Sequence, residues 1–278
     1  MKRAKVVMAT SHVDAHRERL APEAIRSLVD QVRAAYVPLW VEHDPRIPPR
    51  GRVVDAYVEE RDDGEWAAIG IVEEFEAGER PAFDDARRMK IRNVEHDLGI
   101  HFDRSYRDRQ SQALIADIAQ LLHVEVHPEG KKALEPVSVL TFVAKAAFGK
   151  IAEAFWSNVS DDTYAAIKRK LGLLFGRRRA KTDDYVFRYT CIVVVGGRQV
   201  EVDFLATAPS EERIERIFKQ HLAAGDRILQ NYLPSHPEVA RVVFDAGGPK
   251  LKFSYAVRAD VVPIFEMPLD DGSERPGA

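Results

Sequence analysis

The chain has 278 residues, of which 45% are hydrophobic and 31% charged, and its formal charge is −3. That length and apolar content suffice for a real core in one large or two ordinary domains. The near balance of charge argues against a protein whose main work is holding nucleic acid. A single cysteine, Cys191, excludes an internal disulfide and a multi-cysteine zinc site. With no long apolar run, no signal peptide or membrane span is expected, and a reducing, cytoplasmic setting is.

In chain order, AKVVMAT (4–10) reads as a strand. Residues 22–35 carry Ile25, Leu28, Val29, Val32 and Ala35 on one helical face, with Pro22 in the first turn. Strands follow near 37–42, 52–59 and 66–74, the last two joined by Arg61-Asp62-Asp63-Gly64, a hairpin turn. A short helix is expected at 80–91 and a strand at 97–102, closing a first domain near residue 105. Residues 106–122 read as helix, 123–132 as strand and turn, and 136–156 and 160–175 as two helices, the second capped at Ser160-Asp161-Asp162. GRRRAKTDD (176–184) reads as a charged linker. Beyond it, YVFRYTCIVVV and RQVEVDFLAT flank Gly196-Gly197, a hairpin signal; a helix at 209–230 and strands near 239–245 and 250–259 complete a ββαββ unit. The fold class is therefore α+β. It divides into a mixed-β domain (1–105), a helical connector (106–182), an antiparallel sheet domain (183–268) and a disordered tail (269–278).

The segment VPLWVEHDPRIPPRGRV (37–53) runs an apolar strand into Glu42-His43-Asp44, then into three prolines and Gly51. The prolines stiffen the chain directly after His43, and Gly51 permits re-entry into a strand. A histidine held in this way is within reach of a ligand. Together with VDAHRERLAPEAI (13–25) and the hairpin that follows, this segment resembles the prohead maturation proteases of tailed phages, a family of serine endopeptidases. The likeness covers roughly residues 5–105. It implies His43 as general base; Asp44 or another acid would orient the imidazole, and Glu42 and His101 are candidate substrate contacts. The family's serine falls in a stretch matched here by Leu98-Gly99-Ile100-His101-Phe102, and the matching position is Gly99. Without a nucleophile no acyl-enzyme forms. Ser105 is the alternative nucleophile; as a structural residue it reads as a helix N-cap, with Asp108 completing a capping box.

Other groupings carry less. His12, His16 and His43 with Asp14 or Asp44, and His123, Glu125 and His127 on one strand face, have ligand chemistry, but they read as polar loop residues and as the wet face of an edge strand. Lys145, Lys150 and Glu153 give the helix expected at 137–156 a charged arc, and Arg177, Arg178, Arg179 and Lys181 form a basic cluster. Cys191 reads as a core residue. No metal or other cofactor is expected.

The sequence thus points to a protease-like fold with a degenerate site that binds a peptide or protein partner. One alternative is an active serine endopeptidase using His43 and Ser105. Another is a sensor or effector whose helix at 137–156 engages a membrane or an oligomer partner. A homo-oligomer fits the sequence; a membrane partner fits it poorly.

Overall fold

The computed structural model describes residues 2–13, 19–41, 43–76, 82–83, 86–92, 98–106, 108–129, 137–157, 159–177 and 185–266. In chain order the elements are β1 (Lys2–Thr10), α1 (Pro22–Ala34), β2 (Val37–Leu39), β3 (Gly51–Glu60), β4 (Trp66–Glu74), β5 (Leu98–Asp103), α2 (Arg109–Leu122), β6 (Val126–Glu129) and β7 (Ser138–Ala147). There follow α3 (Ile151–Trp156), α4 (Asp161–Gly176), β8 (Tyr185–Val195), β9 (Arg198–Thr207), α5 (Glu211–Arg216), α6 (Leu222–Tyr232), β10 (Val239–Asp245), β11 (Lys252–Arg258) and β12 (Pro263–Ile264). The α+β class expected from sequence is the class observed.

The first four strands form an antiparallel sheet in the order β1-β4-β3-β2. Its β3–β4 hairpin closes at Gly64, where φ is 79° and a residue with a Cβ would be strained. Helix α1 starts with Pro22 in its first turn and lays Ile25, Val29 and Val32 on Ala9, Val53, Ala56, Ala68 and Val72.

The remaining eight strands form a mixed sheet, β12-β11-β10-β9-β8-β7-β5-β6. Hairpins make the antiparallel neighbours β8–β9 and β10–β11, and β8 turns into β9 through Gly196 and Gly197, both at positive φ. Parallel neighbours need crossovers. Helices α3 and α4 carry the chain from β7 to its parallel neighbour β8, and α5 and α6 carry it from β9 to parallel β10. The expected ββαββ unit is present, with its two hairpins joined in parallel rather than antiparallel fashion. The strand expected at 97–102 is β5, and it belongs to this larger sheet, beside β7 and β6.

One expectation fails outright. Residues 138–147, read from sequence as the first half of a helix, form β7, a strand with neighbours on both sides. The segment Ser-Val-Leu-Thr-Phe-Val is buried throughout, so its apolar residues serve both faces of the sheet and show no alternation. Only Ile151–Trp156 is helical, and an Ala147–Lys150 turn separates it from the strand. The reading of a surface helix at 137–156 that engages a membrane or partner falls with this. Among the described residues no helix is long and apolar enough to cross a membrane. The helix expected at 80–91 lies partly outside the described residues, and residues 86–91 are not helical.

The helices pack on one face of the large sheet. Phe142, Phe187, Tyr189, Phe204 and Phe244 point into this layer and meet Phe155, Phe175, Phe218 and Leu222. Each such aromatic removes apolar surface worth about 1.5–3 kcal/mol from water. Cys191 lies here fully buried, as expected, and burial pushes its thiol well up. Between α5 and α6 the chain takes one π turn, Ile217–His221. The carbonyl of Phe218 in that turn accepts the Trp156 indole N–H at 3.3 Å, while the Phe218 ring stacks on Phe155 at 4.0 Å.

The small sheet docks on the opposite face. Tyr36, Met89, Val139, Val186, Val243, Tyr255, Val257 and Val261 form a second core there. Three polar contacts fix the docking: the Arg52 guanidinium donates to the Asp260 carbonyl at 2.9 Å, the Tyr255 hydroxyl donates to the Pro45 carbonyl at 2.7 Å, and the Met89 N–H donates to the Ala259 carbonyl at 2.6 Å.

Candidate functional site

His43 lies just past β2 in a turn whose closing bond runs from the Asp44 N–H to the Val41 carbonyl at 3.0 Å. Its φ is 51°, in the left-handed region, which a non-glycine residue occupies only at a cost. The side chain is exposed. Asp44, expected to orient the imidazole, is buried, and its carboxylate accepts from the Arg46 N–H at 2.9 Å and from the Arg46 guanidinium at 2.6–3.0 Å. It therefore acts as the anchor of the turn that follows. The Pro45 carbonyl, held by Tyr255, pins the same turn to the large sheet. Glu42 lies outside the described residues.

His43 borders a cavity of about 380 Å³ between the two sheets. One wall is Tyr36, Pro38 and Trp40 around β2, and another is Met89, Lys90 and Arg92. The floor is the large sheet itself, through Thr141 of β7, Arg188 of β8, Glu201 of β9 and Arg241 of β10.

The register explains why these residues share a face: Thr141 is opposite Arg188, Thr190 opposite Asp203, and Arg241 opposite Glu201. Asp203 is the hub. Its Oδ1 accepts from Arg188 Nε at 2.7 Å and from the Thr190 hydroxyl at 2.6 Å. Its Oδ2 accepts from Arg188 Nη2 at 3.0 Å and from Arg241 Nε at 2.7 Å. Arg188 also reaches Glu201, and the Arg241 guanidinium lies over the Trp40 ring at 4.9 Å. Burial alone would raise the Asp203 carboxyl, but the two guanidiniums outweigh it and hold the group at about 2. Asp203 is thus a fixed anion, and the two arginines are immobilised with their planes set by it. The sheet floor is charge-balanced, two guanidiniums against two carboxylates. Among the described residues, Lys90 and Arg92 add two cationic side chains at the rim.

The remaining sequence candidates lie elsewhere. Ser105 sits in a single 3₁₀ turn after β5, and its hydroxyl and N–H both donate to Asp103. The cap of α2 is Asp108, which accepts the Ser111 N–H at 2.9 Å, so the expected N-cap role of Ser105 is corrected: the helix begins three residues later than a Ser105 cap requires. Ser105 is not among the residues lining the His43 cavity. Gly99 is a buried sheet residue opposite Val143. His101 stands beside His127 across the β5–β6 pair, ring centroids 5.0 Å apart, and it too is outside the cavity lining. His123 is not on that strand: it ends α2 in the left-handed conformation. His12 pairs with Asp63 at 3.1 Å; Asp14 and His16 lie outside the described residues. Among the described residues no group of three or more His, Cys, Asp or Glu side chains could hold a metal ion.

A second, more apolar groove of about 790 Å³ lies on the other side of Trp40, lined by Leu39, Val41, Ile47, Pro48, Phe75 and Phe265 among others. Trp40 belongs to both walls. No family model matches this chain, and neither a curated protein nor a solved structure is found to be similar to it.

Proposed function

We propose that the chain is a peptide-binding protein that keeps a protease-like His43 segment without a working nucleophile. The observation that carries the reading is the composition of the His43 cavity. Among the described residues its lining includes an imidazole, four cationic side chains and a tryptophan, but no serine or cysteine, and the one aliphatic hydroxyl among them is the buried Thr141. A histidine base needs a hydroxyl or thiol within hydrogen-bond reach to act on a peptide bond. Ser105, the rival nucleophile, gives its hydroxyl to Asp103 in a local turn. Binding asks less. An extended segment crossing Trp40 would rest apolar side chains in the larger groove and a polar one in the cavity, the usual division between apolar area and few convergent polar groups.

The test is retention without cleavage. The full chain is mixed with a random peptide library, bound peptides are recovered, and their masses are compared with the input. Peptides retained intact, and lost when Trp40→Ala removes the shared wall, support the reading. Cleaved peptides that disappear in His43→Ala would overturn it in favour of the endopeptidase.

A further inference from the structure

We infer that the cavity beside His43 is a receptor for a peptide carboxylate, an inference that rests on the peptide-binding reading and deepens it. Among the described residues the lining carries Lys90, Arg92, Arg188 and Arg241, with Glu201 as its carboxylate and Asp203 beneath it. Arg188 and Arg241 are buried, and they are not adaptable surface cations. Asp203 takes the Nε and Nη2 donors of both, and Glu201 also takes Arg188 Nη2, so each guanidinium is oriented before a ligand arrives and Nη1 is the donor left to offer it. A guanidinium N–H held in place in this way is a strong charge-assisted donor to a carboxylate oxygen, because little rotamer freedom is left to lose. Trp40 backs Arg241, fixing its plane from the other side. Lys90 is exposed at the rim and has no carboxylate partner among the described residues, so a ligand anion can reach it without breaking an ion pair. Asp203 itself is fully buried and is not among the lining residues, and its charge is offset by the two guanidiniums it orients. The volume of about 380 Å³ admits an acidic side chain or a chain terminus, but not a folded domain.

Two sources of carboxylate fit: an Asp or Glu side chain within the peptide, or its C-terminus. The experiment uses peptides labelled with an uncharged BODIPY fluorophore and the full chain, read by anisotropy. One set is C-terminally amidated with an internal Asp or Glu, a second is a free acid lacking both, and a third is amidated with Asn or Gln in place of the acid. The expected result is that either the first or the second set binds at least about tenfold tighter than the third, as a charge-assisted hydrogen bond would give. Which of the two it is names the source. Lys90→Glu, an exposed change that leaves the buried network intact, should abolish that preference, and raised salt should weaken it. Equal binding of all three sets overturns the inference while the peptide-binding reading stands. An acid preference unchanged in both Lys90→Glu and Arg92→Glu also overturns it, because the carboxylate would then be recognised elsewhere. Absence of binding by every set overturns the inference and the reading together.

Discussion

His43 holds a left-handed backbone, φ 51°, on a residue with a Cβ. Strain of this kind persists where surrounding contacts over-determine it, and here the Asp44–Arg46 and Tyr255–Pro45 contacts do so. Glycine tolerates this conformation and alanine does not. His43→Gly should therefore be more stable than His43→Ala by about 1 kcal/mol, the reverse of their usual order, in urea unfolding. Equal stabilities would mean that the turn relaxes. Asp203 offers a second test. Its Asn variant keeps the shape but leaves two buried guanidiniums without their anion, so a loss of about 3–5 kcal/mol is expected at neutral pH. Because its folded carboxyl lies at about 2, below the ordinary 3.8, its contribution is complete above about pH 4 and is lost as pH falls towards 2. The stability gap between wild type and Asp203→Asn should narrow through that window; a gap that stays constant would contradict the assigned ionisation.

At the scale of elements, Gly51 opens β3 for a reason other than the one its sequence context suggests. The Pro-Gly pattern reads as a need for backbone freedom, yet Gly51 is not among the positive-φ glycines; a Cβ built there would stand 2.3 Å from the Glu73 carbonyl oxygen of β4. Since backbone is what it would strike, Gly51→Ala should lower stability by about 1–3 kcal/mol or more. Gly176→Ala, at the exposed end of α4 with nothing within 4 Å, should be neutral or stabilising by a few tenths. Thermal melts of the two variants distinguish close packing from a general intolerance of substitution. What was legible from sequence follows the same physics. Amphipathic α1, the Gly64 and Gly196-Gly197 hairpins and the Ser160 cap carry local signals, and all are present. Strand β7 carries none, because both its faces are buried and an evenly apolar run has no period to read. The floor of the site was missed for a related reason. Arg188 and Thr190, Glu201 and Asp203, and Arg241 sit on strands otherwise apolar, and their alternation marks one polar face. That signal was present in each strand, but only the sheet register brings the charges together from positions as far apart as 141 and 241.

At the scale of the whole molecule, the cavity exists because the small sheet is seated on the face of the large one that the helices leave bare. That face could not be left open: Val186, Val243, Tyr255 and Val257 would otherwise expose a broad apolar patch. Docking covers it through Tyr36, Trp40 and Met89, and leaves a gap where the charged residues of the floor resist close apolar contact. His43 is delivered to the rim of that gap by a turn fixed at Asp44 and Pro45. The central claim is that this imidazole faces ligand and no nucleophile. The most direct measurement is intact-protein and peptide-level mass spectrometry after treatment with a fluorophosphonate, which labels a serine or threonine activated by a base. The account predicts an unchanged mass. An adduct on Ser105 or Thr141 that is absent in His43→Ala would contradict it.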